Sequence, residues 1–270
     1  MSESGVSESG TSESGAGRTA AFFDLDNTLV RGASVYLLAK GLHARGILTT
    51  TLILRGLWYH LVYRIAGERA RHMDLARESL LSIIAGMTVR EVAQATDEIY
   101  DELIADRLWP GTVSLAQGHQ ASAEEVWLVT AAPQEVARVI AERLGFTGAL
   151  GTRAEQAEGH YTGRLEGRLL HGPDKAAAVA DLARERGIDL RRSAAYSDSH
   201  NDLPLLKLVG QPFAVNPDRA LRSQARRQGW PIRDFRVARR WVGYGVAGAA
   251  GGVTTLGVVS MINRLREARR

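Results

Sequence analysis

The sequence predicts an α/β fold in which a Rossmann-like parallel sheet is flanked by helices on both faces. Three short apolar runs, each followed by or ending at a polar residue, lie at 20–23, 126–129 and 194–197. Runs of this kind are typical of buried parallel strands. Helical patterns separate them at 134–144 and 175–186. Because strands and helices alternate, we expect one open sheet whose ligands bind beyond the carboxyl ends of its strands.

Composition excludes several classes of protein. The chain has 270 residues, of which 45% are hydrophobic and 24% charged, so the molecule as a whole is not intrinsically disordered. Cysteine is absent, which excludes disulfides, thiolate zinc sites and a cysteine nucleophile. Any covalent chemistry must therefore come from oxygen or nitrogen groups, and a reducing, cytoplasmic location is permitted.

The N-terminal residues predict a disordered acidic arm over 1–18. The tetrapeptide Ser-Glu-Ser-Gly occurs three times, beginning at Ser2, Ser7 and Ser12, and leaves almost nothing to bury. The stretch has neither the basic nor the apolar region of a secretory signal. We therefore expect a cytoplasmic protein.

The middle of the chain predicts two parts, a core made of 19–30 and 108–236 and a helical cap at 31–107 inserted after the first strand. The cap segment is far longer than a simple crossover and lacks strand alternation. Within it, 49–66 is unusually apolar and fits either a buried helix of the cap or a membrane-facing helix. A smaller feature, 161–169, alternates around glycines and predicts a β-hairpin.

The C-terminal tail, 237–270, is basic and contains a candidate membrane helix. From Arg219 onward the chain carries twelve arginines and two acids, a pattern attracted to acidic lipid or nucleic acid, although a solvated basic face also explains it. The segment 241–262 has no charge over 22 positions, enough to cross a bilayer of about 30 Å as a helix. The alternatives are attachment to the inner face of the cell membrane and a glycine-rich helix packed on the protein's own surface.

Paired carboxylates follow the first predicted strand, in Asp24-Leu25-Asp26-Asn27-Thr28. A carboxylate can accept a phosphoryl group, and the acyl phosphate that forms is readily hydrolysed. A second acid can protonate the leaving alcohol and later deprotonate water. The alternative is a strand-to-helix turn in which Asp26 or Thr28 merely caps a helix.

A second acidic pair, Asp198 and Asp202, follows the strand at 194–197. If this strand lies beside the first, several carboxylates meet at one edge of the sheet and require a cation. Hard oxygen ligands near a phosphate favour Mg²⁺. His200 lacks a partner at metal-ligand spacing and is expected to face solvent.

Two phosphate-binding groups complete the set. Thr130 ends its strand with a hydroxyl, and Lys175 opens a helix with a mobile ammonium group. Both suit phosphate oxygens that gain charge during reaction.

In order and spacing, these residues resemble the four motifs of haloacid dehalogenase (HAD) phosphatases. SDSHNDLPLL and AVNPD resemble subfamily IB, which contains phosphoserine phosphatase. The resemblance implies that Asp24 is the nucleophile and Asp26 the acid-base. It implies that Mg²⁺ is held by the side chains of Asp24 and Asp198 and the carbonyl of Asp26, with Asp202 supporting the metal's waters or orienting Lys175. Thr28, Thr130 and Lys175 are expected at the substrate phosphate.

Two departures bear on the substrate. Phosphoserine phosphatases carry a glutamate that binds the substrate's amino group where Ala33 stands here, and their Ser-Gly-Gly motif is matched by Thr130-Ala131-Ala132.

We expect a hydrolase of a small phosphate ester. The alternatives are a membrane-associated lipid-phosphate phosphatase, of the kind that acts on phosphatidylglycerophosphate, and a non-catalytic, membrane-tethered regulatory protein. No nucleic acid is expected as a partner, because no aromatic platform accompanies the arginines.

Overall fold

The computed structural model describes residues 17–48, 81 and 84–236. Its strands are β1 (Ala20–Phe23), β2 (Glu125–Pro133), β3 (Gly148–Thr152), β4 (Ala154–Ala157), β5 (His160–Leu165), β6 (Ala194–Ser197), β7 (Gln211–Val215) and β8 (Ile232–Arg233). Within the described residues, six strands form a parallel sheet in the order β3-β2-β1-β6-β7-β8. The other two, β4 and β5, form an antiparallel hairpin.

Helices cover both faces of this sheet. They are α1 (Ser34–Ala44), α2 (Val89–Ile99), α3 (Pro110–Ala121), α4 (Gln134–Arg143), α5 (Pro173–Arg186), α6 (Leu203–Leu208) and α7 (Arg219–Gln228). Side chains alternate along β1, so that Phe23 packs in the core beneath α1 to α4 and Phe22 in the core beneath α5 to α7. The predicted α/β fold with a parallel, helix-flanked sheet is confirmed.

The central position of β1 determines where the site lies. This strand pairs with β2 on one side and with β6 on the other. From β1 the chain builds outward through β2 and β3, and then returns to build outward through β6, β7 and β8. Ligands of open parallel sheets bind where the direction of winding reverses, at the carboxyl ends of the strands. In this sheet that point is the end of β1, which Asp24 follows.

Helical segments occupy the described parts of the predicted cap. Helix α1 follows the first strand closely. Helix α2 begins at a capping box, in which Thr88 and Glu91 satisfy each other's backbone N–H groups, and continues through a π-turn (Tyr100–Ile104) and a 3-10 turn (Ala105–Arg107). The apolar segment 49–66 lies outside the described residues, so its two interpretations stay open. The domain boundaries at 31 and 107 remain predictions.

The predicted hairpin exists, but its turn lies earlier than the sequence pattern indicated. Strand β4 pairs with β5 across Glu158 and Gly159, and the segment expected to hold the whole hairpin supplies its second strand. Both turn residues have positive φ angles, 51° and 79°, as a two-residue type I′ turn requires. Gly159 adopts such an angle without strain, which explains the position of the turn.

The ends of the chain are described only in part. Arg18, at the end of the predicted arm, forms a parallel bridge with Ile188 and an ion pair with Glu125, so this residue is joined to the core. Residues 1–16 of the arm, the tail 237–270 and the candidate helix 241–262 lie outside the described residues. Among the residues that are described, no helix is long and apolar enough to cross a membrane.

Candidate active site

The predicted site residues meet at the carboxyl edge of the sheet. The backbone N–H of Asp24 donates to the carbonyl of Tyr196 at 2.9 Å, which fixes the end of β1 against β6. Phe23 is level with Leu128 on one side and with Tyr196 on the other. Because the strands are parallel, the residues that follow on all three emerge at the same edge.

Asp24 is buried, with 8% of its surface exposed, and both of its carboxylate oxygens accept hydrogen bonds. The ammonium group of Lys175 donates to Oδ1 at 2.6 Å, and the hydroxyl of Thr28 donates to Oδ2 at 3.0 Å. Burial raises the pKa of Asp24 to about 6, and the positive charge of Lys175 opposes that rise. Thr28, expected at the substrate phosphate, therefore contacts the carboxylate of Asp24 in this structure.

Lys175 lies in the first turn of α5, where it joins two acidic side chains. Gly172, immediately before the helix, has φ +55°, a conformation in the region that favours glycine. The lysine ammonium lies 2.6 Å from Asp24 Oδ1 and 2.8 Å from Asp202 Oδ2. Burial disfavours its charged form, but the two carboxylates outweigh burial and raise the pKa of Lys175. A buried ammonium group thus links two buried carboxylates at the edge of the sheet.

Ser197 is a member of this network that the sequence did not identify. It is fully buried, and its hydroxyl donates to Asp202 Oδ2 at 2.7 Å, the same oxygen that accepts from Lys175. Its oxygen also accepts from the backbone N–H of Ser199 at 3.1 Å. The available signal was the position of a small hydroxyl residue directly before Asp198. One carboxylate oxygen of Asp202 therefore accepts from both Ser197 and Lys175.

Asp26 is half-buried on the turn that connects β1 to α1. Its Oδ1 accepts the backbone N–H of Ser34, at the start of α1, at 2.7 Å. The positive end of the helix dipole stabilises a negative charge there. The second predicted carboxylate is thus held two residues beyond Asp24 and in contact with the first helix of the predicted cap.

Asp198 is half-buried on the loop that leaves β6. Its carbonyl accepts the backbone N–H of Asp218 at 2.8 Å, while the carboxylate of Asp218 accepts the N–H of His200 at 2.9 Å. The side chain of His200 is exposed, as expected. Burial raises the pKa of Asp198 to about 8, and the nearby negative charges of Asp24 and Asp202 add to the rise. Several carboxylates therefore share this small volume.

Thr130 lies on β2, beside the end of β1. It is buried, with 2% of its surface exposed, and its hydroxyl oxygen accepts the backbone N–H of Ala132 at 3.2 Å. The register places Thr130 one residue beyond the level of Asp24. Its hydroxyl hydrogen is not committed by that bond, so the group can still donate to a ligand.

The donor set at this edge suits Mg²⁺. In the part of the chain that the structure describes, no group of three or more acidic or histidine side chains forms a complete metal cage. Mg²⁺ does not need one, since it keeps several waters and is held by one or two carboxylates together with a substrate phosphate. Asp24 and Asp198 are oxygen donors whose mutual repulsion a divalent cation would relieve.

The chain is similar in sequence to known hydrolases and phosphatases. Residues 21–207 match the family model for haloacid dehalogenase-like hydrolases. The chain is 49% identical over 239 residues to the Mycobacterium tuberculosis protein named phosphoserine phosphatase SerB1, covering 86% of this chain and 78% of that relative. It is also 30% identical over 223 residues to a histidinol-phosphatase of Neisseria meningitidis. That match covers 81% of this chain and 100% of that relative.

A solved structure shows the same fold. The crystal structure of a Bordetella pertussis protein of unknown function matches with a TM-score of 0.73 and 32% sequence identity, and covers 81% of this chain and 99% of that one. The sheet and the helices described above therefore have a counterpart of nearly the same extent.

Proposed function

Because the chain belongs to the haloacid dehalogenase-like hydrolases and is a phosphatase of the phosphoserine-phosphatase-like type, we propose that it hydrolyses phosphomonoesters, with Mg²⁺, through a phosphorylated Asp24. The observation that carries the proposal is the buried chain of Asp24, Lys175 and Asp202, with contacts of 2.6 and 2.8 Å. It holds one carboxylate in a fixed orientation at the winding reversal of the sheet.

In the first step, an oxygen of Asp24 attacks phosphorus and forms an acyl phosphate. The P–O bond to the alcohol breaks, and the departing oxygen takes a proton from Asp26. Thr28 and Lys175 orient the attacking carboxylate through the hydrogen bonds described above. Such orientation lowers the barrier because the reacting groups meet in a near-attack geometry.

In the second step, water attacks the phosphorus of the acyl phosphate. Asp26 accepts the proton of that water, inorganic phosphate leaves, and the carboxylate of Asp24 is restored. One residue thus serves first as acid and then as base, as general acid-base catalysis in a two-step transfer requires. The half-buried position of Asp26, beside Ser34, leaves it accessible to both alcohol and water.

Charge on the phosphate is balanced from two sides. Lys175 and the hydroxyl of Thr130 are suited to bind its oxygens. Asp24 and Asp198 through their side chains, and Asp26 through its carbonyl, are suited to hold Mg²⁺, which when bound would offset the phosphate charge and so permit attack by an anion. The role of Asp202 is to orient Lys175, because its Oδ2 already accepts from Lys175 and Ser197.

The proposed substrate is a small phosphate ester. Relatives of the chain are named for phosphoserine and for histidinol phosphate. Both compounds carry an amino group, but Ala33 stands where phosphoserine phosphatases have their amine-reading glutamate, so any such recognition here must use another residue. We therefore propose the class of small phosphomonoesters and not one compound.

A lipid-borne phosphate is the second candidate, and one observation favours it. Arg236 is the last described residue before the basic tail. Its pKa is raised mainly by its hydrogen bond to Asp234, and the nearby negative charges of Asp198 and Asp218 add to the rise. Arg236 therefore lies near Asp198, and an anionic surface bound at this arginine would lie beside the proposed site. Equal activity on a water-soluble ester and on the same headgroup in mixed micelles would argue against this candidate.

The variant Asp24→Asn tests the reaction. It keeps the size of the side chain but removes the nucleophile, and we expect hydrolysis of 4-nitrophenyl phosphate with saturating Mg²⁺ to fall by at least about a thousandfold. Acid-quenched wild-type protein should carry a phosphoryl group that the variant lacks. The matched control is Asp181→Asn on the exposed face of α5, which should keep wild-type activity. Wild-type activity in Asp24→Asn would contradict the proposal.

A further inference from the structure

Asn216 is a buried polar residue at the end of β7 that the proposed reaction does not use. Its surface is 1% exposed, and its φ angle is +47°, in the left-handed region where asparagine is among the few tolerated residues. Its backbone N–H donates to the carbonyl of Arg233 at 2.8 Å. A buried amide in such a conformation needs partners for both ends of its side chain.

Both ends have partners. The Nδ2 group of Asn216 donates to the backbone carbonyl of Asn27 at 3.0 Å, across 189 residues of sequence. Its Oδ1 accepts the backbone N–H of Phe235 at 2.8 Å. The side chain therefore bridges the turn after β1 and the segment after β8, and burial makes each of these bonds costly to lose.

The contacted turn is the one that carries Asp26. Asn27 follows Asp26 directly and has a φ angle of +60°. The N–H of Asn27 donates to the carbonyl of Val30 at 2.7 Å, and its Oδ1 accepts the N–H of Gly32 at 3.1 Å. Both hydrogen bonds lie within the turn and stabilise it. The bond from Asn216 to the carbonyl of Asn27 ties the same turn to the sheet.

We propose that Asn216 is a positioning residue that holds Asp26 at the leaving-group oxygen by anchoring the carbonyl of Asn27. The inference rests on the proposed function, in which Asp26 donates the proton to the departing alcohol. Displacement of a catalytic group by about 1 Å costs on the order of a hundredfold in rate. The anchored carbonyl belongs to Asn27, which lies directly between Asp26 and Thr28. A shift of Thr28 affects the attack by Asp24 on any substrate alike, whereas a shift of Asp26 affects only substrates whose leaving group needs a proton.

The choice of leaving group distinguishes a defect in proton transfer from a general loss of activity. 4-Nitrophenolate departs readily without a proton, whereas an alkoxide needs one. The quantity to measure is the ratio of kcat/KM for ethyl phosphate to that for 4-nitrophenyl phosphate, because kcat/KM reports the step in which the alcohol leaves. The ratio comes from one enzyme preparation, so the fraction of folded protein cancels from it.

Two variants in the full chain test the inference. Asn216→Asp keeps the size, the tolerated φ angle and the acceptor for Phe235, but removes the donor to Asn27. Asn216→Ala removes the donor without adding charge. We expect both to lower the ethyl to nitrophenyl ratio by about tenfold, with the nitrophenyl reaction itself reduced less. An unchanged ratio in both variants, or a lowered ratio in Asn216→Asp alone, would overturn the inference.

A control and a benchmark complete the experiment. The control is Gln211→Glu, at the other end of β7. It removes a side-chain amide that donates to the carbonyl of Arg192, and the variant should leave the ratio unchanged. Asp26→Asn supplies the benchmark and should lower the ratio further than either Asn216 variant. If Asp26→Asn itself leaves the ratio unchanged, the proposed function fails; if it lowers the ratio and the Asn216 variants do not, this inference alone fails.

Discussion

Lys175 Nζ lies 2.6 Å from Asp24 Oδ1, and the side chain of the lysine is 3% exposed. The same ammonium group lies 2.8 Å from Asp202. Two buried carboxylates are thus neutralised in part by one buried cation. Removal of one partner of a buried ion pair is costly because the remaining charge has no compensation.

Replacement of Lys175 by methionine should affect both folding and activity. We expect Lys175→Met to lower the free energy of unfolding by about 3–5 kcal/mol, measured by urea denaturation, since Asp24 and Asp202 then repel each other without a cation. Phosphatase activity should fall by at least about a hundredfold. The control is Lys207→Met on the exposed side of α6, which should change stability by less than about 0.5 kcal/mol. Comparable stability of the two variants would contradict this account.

The hydroxyl of Ser197 should matter for catalysis through Asp202. In Ser197→Ala, the carboxylate of Asp202 loses one of two donors, and we expect kcat to fall by about tenfold while stability falls by about 1–2 kcal/mol. Ser193→Ala is the matched control. Ser193 is also buried, accepts the N–H of Ala20 at 3.1 Å and donates to the carbonyl of Asp189, but it lies directly before β6, at the edge of the sheet opposite the site. It should lose similar stability and keep kcat, and an equal loss of kcat would count against a special role of Ser197.

Binding of Mg²⁺ should stabilise the folded protein. At a metal concentration of 100 times Kd, linkage predicts a gain of about 2.7 kcal/mol, seen as a rise in Tm, and a chelator should remove both this gain and the activity. Asp198→Asn removes a proposed ligand and should abolish the Mg²⁺-dependent rise in Tm. Asp189→Asn, at a half-buried position before the amino end of β6 and so at the opposite edge of the sheet, should keep it. A full rise in Asp198→Asn would exclude that residue as a ligand.

Asp234 should contribute to stability in a pH-dependent way. Hydrogen bonds from Arg236 and Arg222 hold the pKa of Asp234 at about 2, below its ordinary value of 3.8. Because the folded-state pKa is lowered, the contribution is complete above pH 4 and is lost as the pH falls from about 4 towards 2. Asp234→Asn should therefore lower stability at pH 7 by roughly 1–2 kcal/mol, allowing for the partly exposed arginines. The difference between variant and wild type should shrink from pH 5 to pH 3 in urea unfolding, and a constant difference would refute the linkage.

The strand-end acids made much of the fold and the family predictable. Each short apolar run ended at a polar residue because parallel strands are buried on both faces and present their carboxyl ends to the ligand. Membership of the haloacid dehalogenase-like hydrolases confirms the resemblance read from Asp24, Lys175 and Asp198, and it confirms an enzyme of the phosphatase type in place of a non-catalytic protein.

The supporting contacts were not predictable, because each joins residues that sequence spacing does not relate. Asn216, for example, contacts Asn27 across 189 residues of sequence. The predicted position of the hairpin turn was wrong because glycines occur on both sides of Tyr161. Periodicity alone does not show which of these glycines lies in the turn between the two paired strands. Hydrogen bonds that depend on tertiary approach become visible only in the folded chain.

The central position of β1 also has a consequence for synthesis on the ribosome. Strand β1 precedes the other described strands in sequence but lies in the middle of the sheet, and the N–H of Ala20 on this strand donates to Ser193, 173 residues later in the chain. Pairing between segments so distant in sequence closes slowly. A nascent chain that has emerged only as far as β5 has Asp24 but neither Lys175 nor Asp202, so the carboxylate of Asp24 has no buried cation beside it until α5 and the residues before α6 have also been made.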